Sequence, residues 1–176
     1  IMKNVVFIPC VAHNELSDKY GGYGWFNYSI RTWEYWCKKH DVVLFKYDTP
    51  TEPDLFRFRV TWQRWFDVFK QLEDAGIDYD KIYMVDAHTM IKWDTPNFFE
   101  GLDDRMVVWR DLDNLGWVHQ CIEGYKPIFD NFEFDNTKYM NAGCVIINKT
   151  HKPFINKFKE FYYNNIDKLI DLQTNI

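Results

Sequence analysis

The chain has 176 residues, 47% of them hydrophobic and 19% aromatic, which suits one domain with a substantial core and excludes a disordered segment. Its 21 basic and 26 acidic residues leave a net charge of -5 without a basic stripe, so neither DNA nor RNA is an expected partner. No GxSxG elbow, P-loop or HExxH occurs, which removes the usual serine hydrolase, NTPase and zinc protease signatures.

A short apolar, β-branched run at residues 4–10 predicts a buried first strand. The loop that follows, HNELSDKYGGYGWFNYS, carries Gly21, Gly22 and Gly24, which let a backbone approach a phosphate or base, with Tyr20 or Tyr23 available to stack on the base. It lacks the third glycine of a dinucleotide fingerprint. Phe26, Ile30, Trp33 and Cys37 recur at helical spacing and predict a helix over 25–39. DVVLFKYD at 41–48 predicts a second strand. Asp54 can cap the next helix, whose stripe of Phe58, Trp62, Trp65, Phe69 and Leu72 ends at Gly76. Arg57 and Arg64, seven apart on that helix, share a face that is expected to be solvated, or else to reach toward a phosphate.

A third strand is predicted over 81–85, a fourth over 105–109 and a fifth over 138–148. Between the last two, residues 111–137 are polar and aromatic without a sustained period, and either a surface excursion or an acceptor-binding insertion fits them. Phe154, Phe158, Phe161, Ile166, Leu169 and Leu172 mark one final helix, with Pro153 in its first turn. The β-α-β-α-β order, with strands apolar on both faces, predicts an α/β fold with a mainly parallel sheet flanked by helices, in a single domain over 1–176. In such sheets ligands sit beyond the carboxyl ends of the strands, where Asp86 and His88 would lie.

Cys10, Cys37, Cys121 and Cys144 form no CxxC pair, and reduced core thiols in a cytosol-like compartment are expected. Residues 1–10 lack a charged n-region and a cleavage site, and no apolar run approaches the ~18 residues that span a bilayer. A soluble, cytoplasmic protein with no membrane span is the expectation.

An aspartate closing an apolar strand, with a second ligand two residues on, can hold a divalent ion against a diphosphate. An isolated DxH is more often an aspartate that caps the next turn beside a surface or hydrogen-bonded histidine. The surrounding residues extend the pattern. YDKIYMVDAHTMIKWDTPNFFE, residues 79–100, resembles the segment of glycogenin-like family 8 glycosyltransferases and their GT-A relatives in which a strand ends in a DxD motif. Asp86, Thr89, Asp94, Phe98 and Phe99 match it. YMNAGCVIINKT, residues 139–150, is similar to the FNSGV segment of the same enzymes, with Asn141, Ala142 and Gly143 in place of Asn-Ser-Gly. VVWRD resembles the strand that ends in an aspartate near the donor sugar, which puts Asp111 there.

The resemblance implies a GT-A fold and transfer of a sugar from a nucleotide-sugar donor, UDP favoured, to a glycan or other hydroxyl acceptor, with retention favoured. It implies Asp86, Ala87 and His88 at the donor diphosphate, Asp86 and His88 as metal ligands, and Asp111 and Asn141 at the transferred sugar beside Gly143. Manganese or another divalent metal is the implied cofactor, since imidazole suits magnesium poorly, and binding should weaken as the ring is protonated. Two departures stand out. His88 replaces the second aspartate, and the family's further downstream histidine ligand has no counterpart before Ile176. A truncated chain, a rearranged minimal site and a catalytically silent nucleotide- or glycan-binding domain each account for the second. A nucleotidyltransferase is a third functional class that shares the scaffold and the metal. His13, His119 and His151 have no partner at ligand spacing, and Asp113 is better explained as a turn cap.

Overall fold

The computed structural model describes residues 2–11, 24–111, 114–130 and 132–174. Five strands form one sheet in the order β2-β1-β3-β5-β4. These are β1 (Lys3–Pro9), β2 (Val43–Tyr47), β3 (Tyr79–Val85), β4 (Val107–Arg110) and β5 (Met140–Asn148). The pairings β1–β2 and β1–β3 are parallel, whereas β3–β5 and β4–β5 are antiparallel. The sheet is therefore mixed: four strands run one way and β5 alone runs against them, a reversal that the mainly parallel expectation did not include. After β4 the chain stays at the end of the sheet where it emerges, so β5 can only re-enter from that end and runs backward between β3 and β4.

Alternating side chains feed two separate cores, as expected for a sheet covered on both faces. Val5, Phe7, Ile82, Met84, Val145 and Ile147 point to one side, under α2 (Val60–Asp74), α4 (Lys152–Asn164) and α5 (Ile166–Thr174). Val6, Ile8, Tyr83, Val85 and Ile146 point to the other, where Phe26, Ile30, Trp33, Trp36 and Cys37 of α1 (Gly24–Lys39) cover them. The apolar stripes predicted for α1 and α2 are those buried faces, whereas the fully buried residues of α4 are Ile155 and Tyr162, and Phe154 of its predicted stripe is exposed. The four cysteines are free, three buried and Cys144 partly so. Among the described residues no helix is long and apolar enough to cross a membrane.

Three elements differ from expectation. Asp54 does not start the second helix: its Oδ1 accepts from the N–H groups of Phe56 (3.1 Å) and Arg57 (3.2 Å), closing a separate turn, and α2 begins at Val60. Its end agrees, with Gly76 at φ 68° just past the last turn. The final helix is two helices. Asn165 turns its amide back to the Phe161 carbonyl (2.9 Å), interrupting the backbone path before α5 resumes at Ile166. The 111–137 segment, expected to be irregular, contains α3 (Leu115–Tyr125), started by Asn114, whose side chain accepts from the Trp117 N–H at 3.0 Å.

Candidate functional site

Asp86 is the first residue beyond β3, Asp111 the first beyond β4, and Asn141–Gly143 lie at the start of the reversed β5. Strand direction alone brings all of them to one end of the sheet. Two backbone bonds fix the meeting: the Asp86 N–H donates to the Gly143 carbonyl (2.9 Å), and the Asp111 N–H to the Tyr139 carbonyl (3.0 Å).

The β4–β5 register slips here. Val108 faces Val145 but Trp109 faces Asn141, so residues 142–144 are left without partners on β4. One freed group, the Ala142 carbonyl, accepts from Nη2 of Arg64 at 2.7 Å. Nη1 of the same guanidinium donates to Oδ1 of Asp86. Arg64 is 3% exposed and the Asp86 side chain 29%, so this is a largely buried pair with the carboxylate on the solvent side. The expectation of a solvated arginine is overturned for Arg64, which points into the protein toward Asp86, whereas Arg57, outside the helix, pairs on the surface with Asp167 at 2.8 Å. The capping alternative for Asp86 also fails, because its carboxylate serves Arg64. The turn is closed by its backbone carbonyl, which accepts from the Thr89 N–H (3.0 Å) and hydroxyl (2.7 Å).

Gly143 has a defined role. A Cβ there would lie 2.2 Å from Oδ2 of Asp86 and 2.9 Å from Oδ1 of Asn141, so only glycine lets the carboxylate lie against β5. Asn141 itself bends back, its Oδ1 accepting from the Gly143 N–H at 2.8 Å. Ala87 is buried, while His88 and Asn141 are exposed and Asp111 half-buried. Burial first, then the Asp86 charge, pushes the Cys144 thiol up, against the lowering effect of its bond with Tyr83 and of Arg64.

The segment after His88 is strapped to α1. Trp33 Nε1 donates to the Thr89 carbonyl (3.1 Å), the Ile91 N–H donates to the Thr32 hydroxyl (3.1 Å), and Trp36 Nε1 donates to the Thr95 carbonyl (2.9 Å). Phe98 stacks on Trp36 with centroids 4.5 Å apart. The threonine and Phe-Phe positions of the sequence pattern are thus structural anchors of the turn that presents His88. Asp94, which also matched the pattern, pairs with Lys92 on the surface at 3.0 Å.

Among the described residues no group of three His, Cys, Asp or Glu side chains could hold a metal ion. Asp86, half engaged by Arg64, and the exposed His88 are two residues, short of such a group, so an ion there would need its other ligands from a bound molecule. Tyr20, Tyr23, His13 and Asp113 lie outside the described residues. His119 contacts Asn136 (3.1 Å) and His151 accepts from the Asn148 N–H (3.1 Å), and neither belongs to the site.

Sequence reasoning missed the polar residues buried on α2. Besides Arg64, Gln63 clamps both backbone groups of Glu52 (2.8 and 2.9 Å), and Asp67 accepts from the Tyr47 hydroxyl (2.6 Å) and the Thr51 N–H (3.1 Å). Gln63, Arg64, Asp67, Lys70 and Gln71 line one polar stripe at helical spacing, so in the sequence they read as a solvated face and gave no sign of burial.

No protein-family model and no curated protein sequence matches this chain. Its fold is similar to that of a solved glycosyltransferase involved in the glycosylation of the major capsid of PBCV-1, with a TM-score of 0.58 over 91% of this chain and 66% of that one, at 9% identity. The chain spans less than two thirds of that relative's length. At this identity the likeness establishes the fold: α/β with a mixed sheet flanked by helices, distantly resembling the GT-A-like glycosyltransferases.

Proposed function

We propose that the chain is the donor-binding part of a glycosyltransferase that moves a sugar from a nucleotide-sugar, UDP favoured, to a hydroxyl acceptor. The single observation that carries this is the convergence of Asp86, His88, Asp111 and Asn141–Gly143 at one end of a sheet whose fold resembles a glycosyltransferase. Asp86 and His88 would hold a divalent ion, manganese before magnesium, and such an ion neutralises charge on a departing diphosphate.

The protein's own residues do the rest. Arg64 holds the Asp86 carboxylate in one orientation, against the bare backbone of Gly143. Asn141 and Asp111 offer the hydrogen-bond acceptors that orient sugar hydroxyls, and Gly143 leaves the room in which the Asp86 carboxylate is seated. Retention of configuration is part of the proposal by family resemblance.

The Arg64–Asp86 pair favours one second reading, a binding domain without turnover, since a carboxylate already neutralised attracts a cation less strongly. Calorimetric titration of UDP with and without manganese, on wild type and His88→Ala, separates them. Manganese-dependent affinity lost in the variant is the result expected of the transferase. Affinity indifferent to manganese and to His88, with no UDP-sugar turnover, would replace it with the silent domain.

A further inference from the structure

The second half of the molecule holds a cavity that the donor site does not use. It has a volume of about 450 Å³, within the ~300–1,000 Å³ typical of small-molecule sites. Four helices and residues of the 126–139 segment line it, through Trp62 of α2, Cys121 and Ile122 of α3, Phe158 and Tyr162 of α4 and Leu169 of α5. Phe129 and Phe132, 50% and 66% exposed, stand among its walls.

Its chemistry is one-sided. The Lys126 ammonium is taken by Glu123 (2.8 Å) and Glu133 (3.1 Å), and the Tyr162 hydroxyl donates to the Arg57 carbonyl (2.8 Å). The hydroxyls of Tyr125 and Tyr139, the Trp62 indole N–H and the Cys121 thiol are what remains for a polar ligand. A glycan seated here would lose water from several hydroxyls with few partners in return, which is costly. A hydrocarbon loses nothing and removes apolar surface from water.

The cavity also adjoins the donor site. Tyr139, one of its walls, accepts the Asp111 N–H through its carbonyl (3.0 Å). The Asp111 charge reaches two wall residues, adding to burial in pushing the Cys121 thiol and the Tyr139 hydroxyl up.

We propose that this cavity binds the single aliphatic chain of an amphipathic acceptor, with the polar end of that molecule directed toward Asp111. The acceptor role rests on the function proposed above, whereas the binding of a hydrocarbon chain does not.

The test is calorimetric titration of n-alkyl β-glucosides, hexyl to decyl, below their micellar concentrations and without nucleotide. Affinity should rise about fourfold per added methylene until the cavity is full. Ile122→Trp, which fills the space, should abolish that binding while leaving the thermal midpoint and UDP affinity as in wild type. If the tryptophan variant does not fold, Ile122→Phe takes its place and should shorten the longest chain accepted. Affinity flat with chain length, or unchanged by the Ile122 variant, overturns the proposal. So does sedimentation as a dimer that loses alkyl binding on association, which would give the face to a second copy. Chain-length-dependent binding in a protein without UDP affinity overturns only the acceptor role and, with it, the donor-site reading.

Discussion

Arg64 is the residue on which the site geometry turns. It is 3% exposed, so removing its partner strands a buried cation. Asp86→Asn should destabilise the fold by about 2 kcal/mol, less than the ~3–5 kcal/mol of a fully buried pair because the carboxylate is partly solvated. Arg64→Met should cost less, and the double variant should recover part of the loss, as chemical denaturation of the three proteins would reveal. A stability of Asp86→Asn at or above wild type would deny the pair. Gly143→Ala should cost about 1–3 kcal/mol, since its Cβ meets the Asp86 carboxylate, and it should weaken UDP binding together with stability. The buried thiols make a separate statement. Burial pushes Cys10 from 9.0 up to about 11 and Cys37 from 9.0 up to about 12. The folded state holds these protons more tightly, so its stability is complete below about 9 and falls as pH rises through those values. The thermal midpoint should drop as pH rises from about 9 toward about 12, and less steeply in a Cys10→Ala, Cys37→Ala variant.

At the scale of elements, what was legible depended on burial on one face. The stripes of α1 and α2 and the apolar runs of β1, β3 and β5 were each visible because one physical rule, apolar inward, set their period. Helix α3 was not. Val118 and Cys121 are its buried residues, while Leu115 and Trp117 are exposed, so the outward side carries as much hydrophobicity as the inward one and the period is blurred. Its start was readable from Asn114, the residue type that accepts a first-turn N–H. Asn114→Ala should destabilise α3 by about 1 kcal/mol, and circular dichroism during thermal melting of the variant measures it. The break at Asn165 was hidden for another reason: the apolar positions of α4 and α5 keep a nearly continuous spacing across it, and a side-chain bond to the preceding turn leaves no trace in hydropathy.

At the scale of the whole molecule, the sequence placed Asp86, Asp111 and Asn141 at strand ends, and the topology put those ends together. What it could not supply was the direction of β5, since an apolar run is the same read forward or backward. Nor could it supply the partner of Asp86, because Arg64 lies on a helix 22 positions away in sequence and only the fold closes that distance. The reversed strand and the arginine together make the site: one brings Gly143 beside Asp86, the other holds the carboxylate there. The most direct test is an amide-resolved NMR titration of the protein with UDP and manganese. Shifts concentrated at Asp86, Ala87, His88, Asp111 and Asn141–Gly143 are the predicted result. Shifts confined to other surfaces, with these amides unmoved at saturation, would contradict the assignment of the donor site to this end of the sheet.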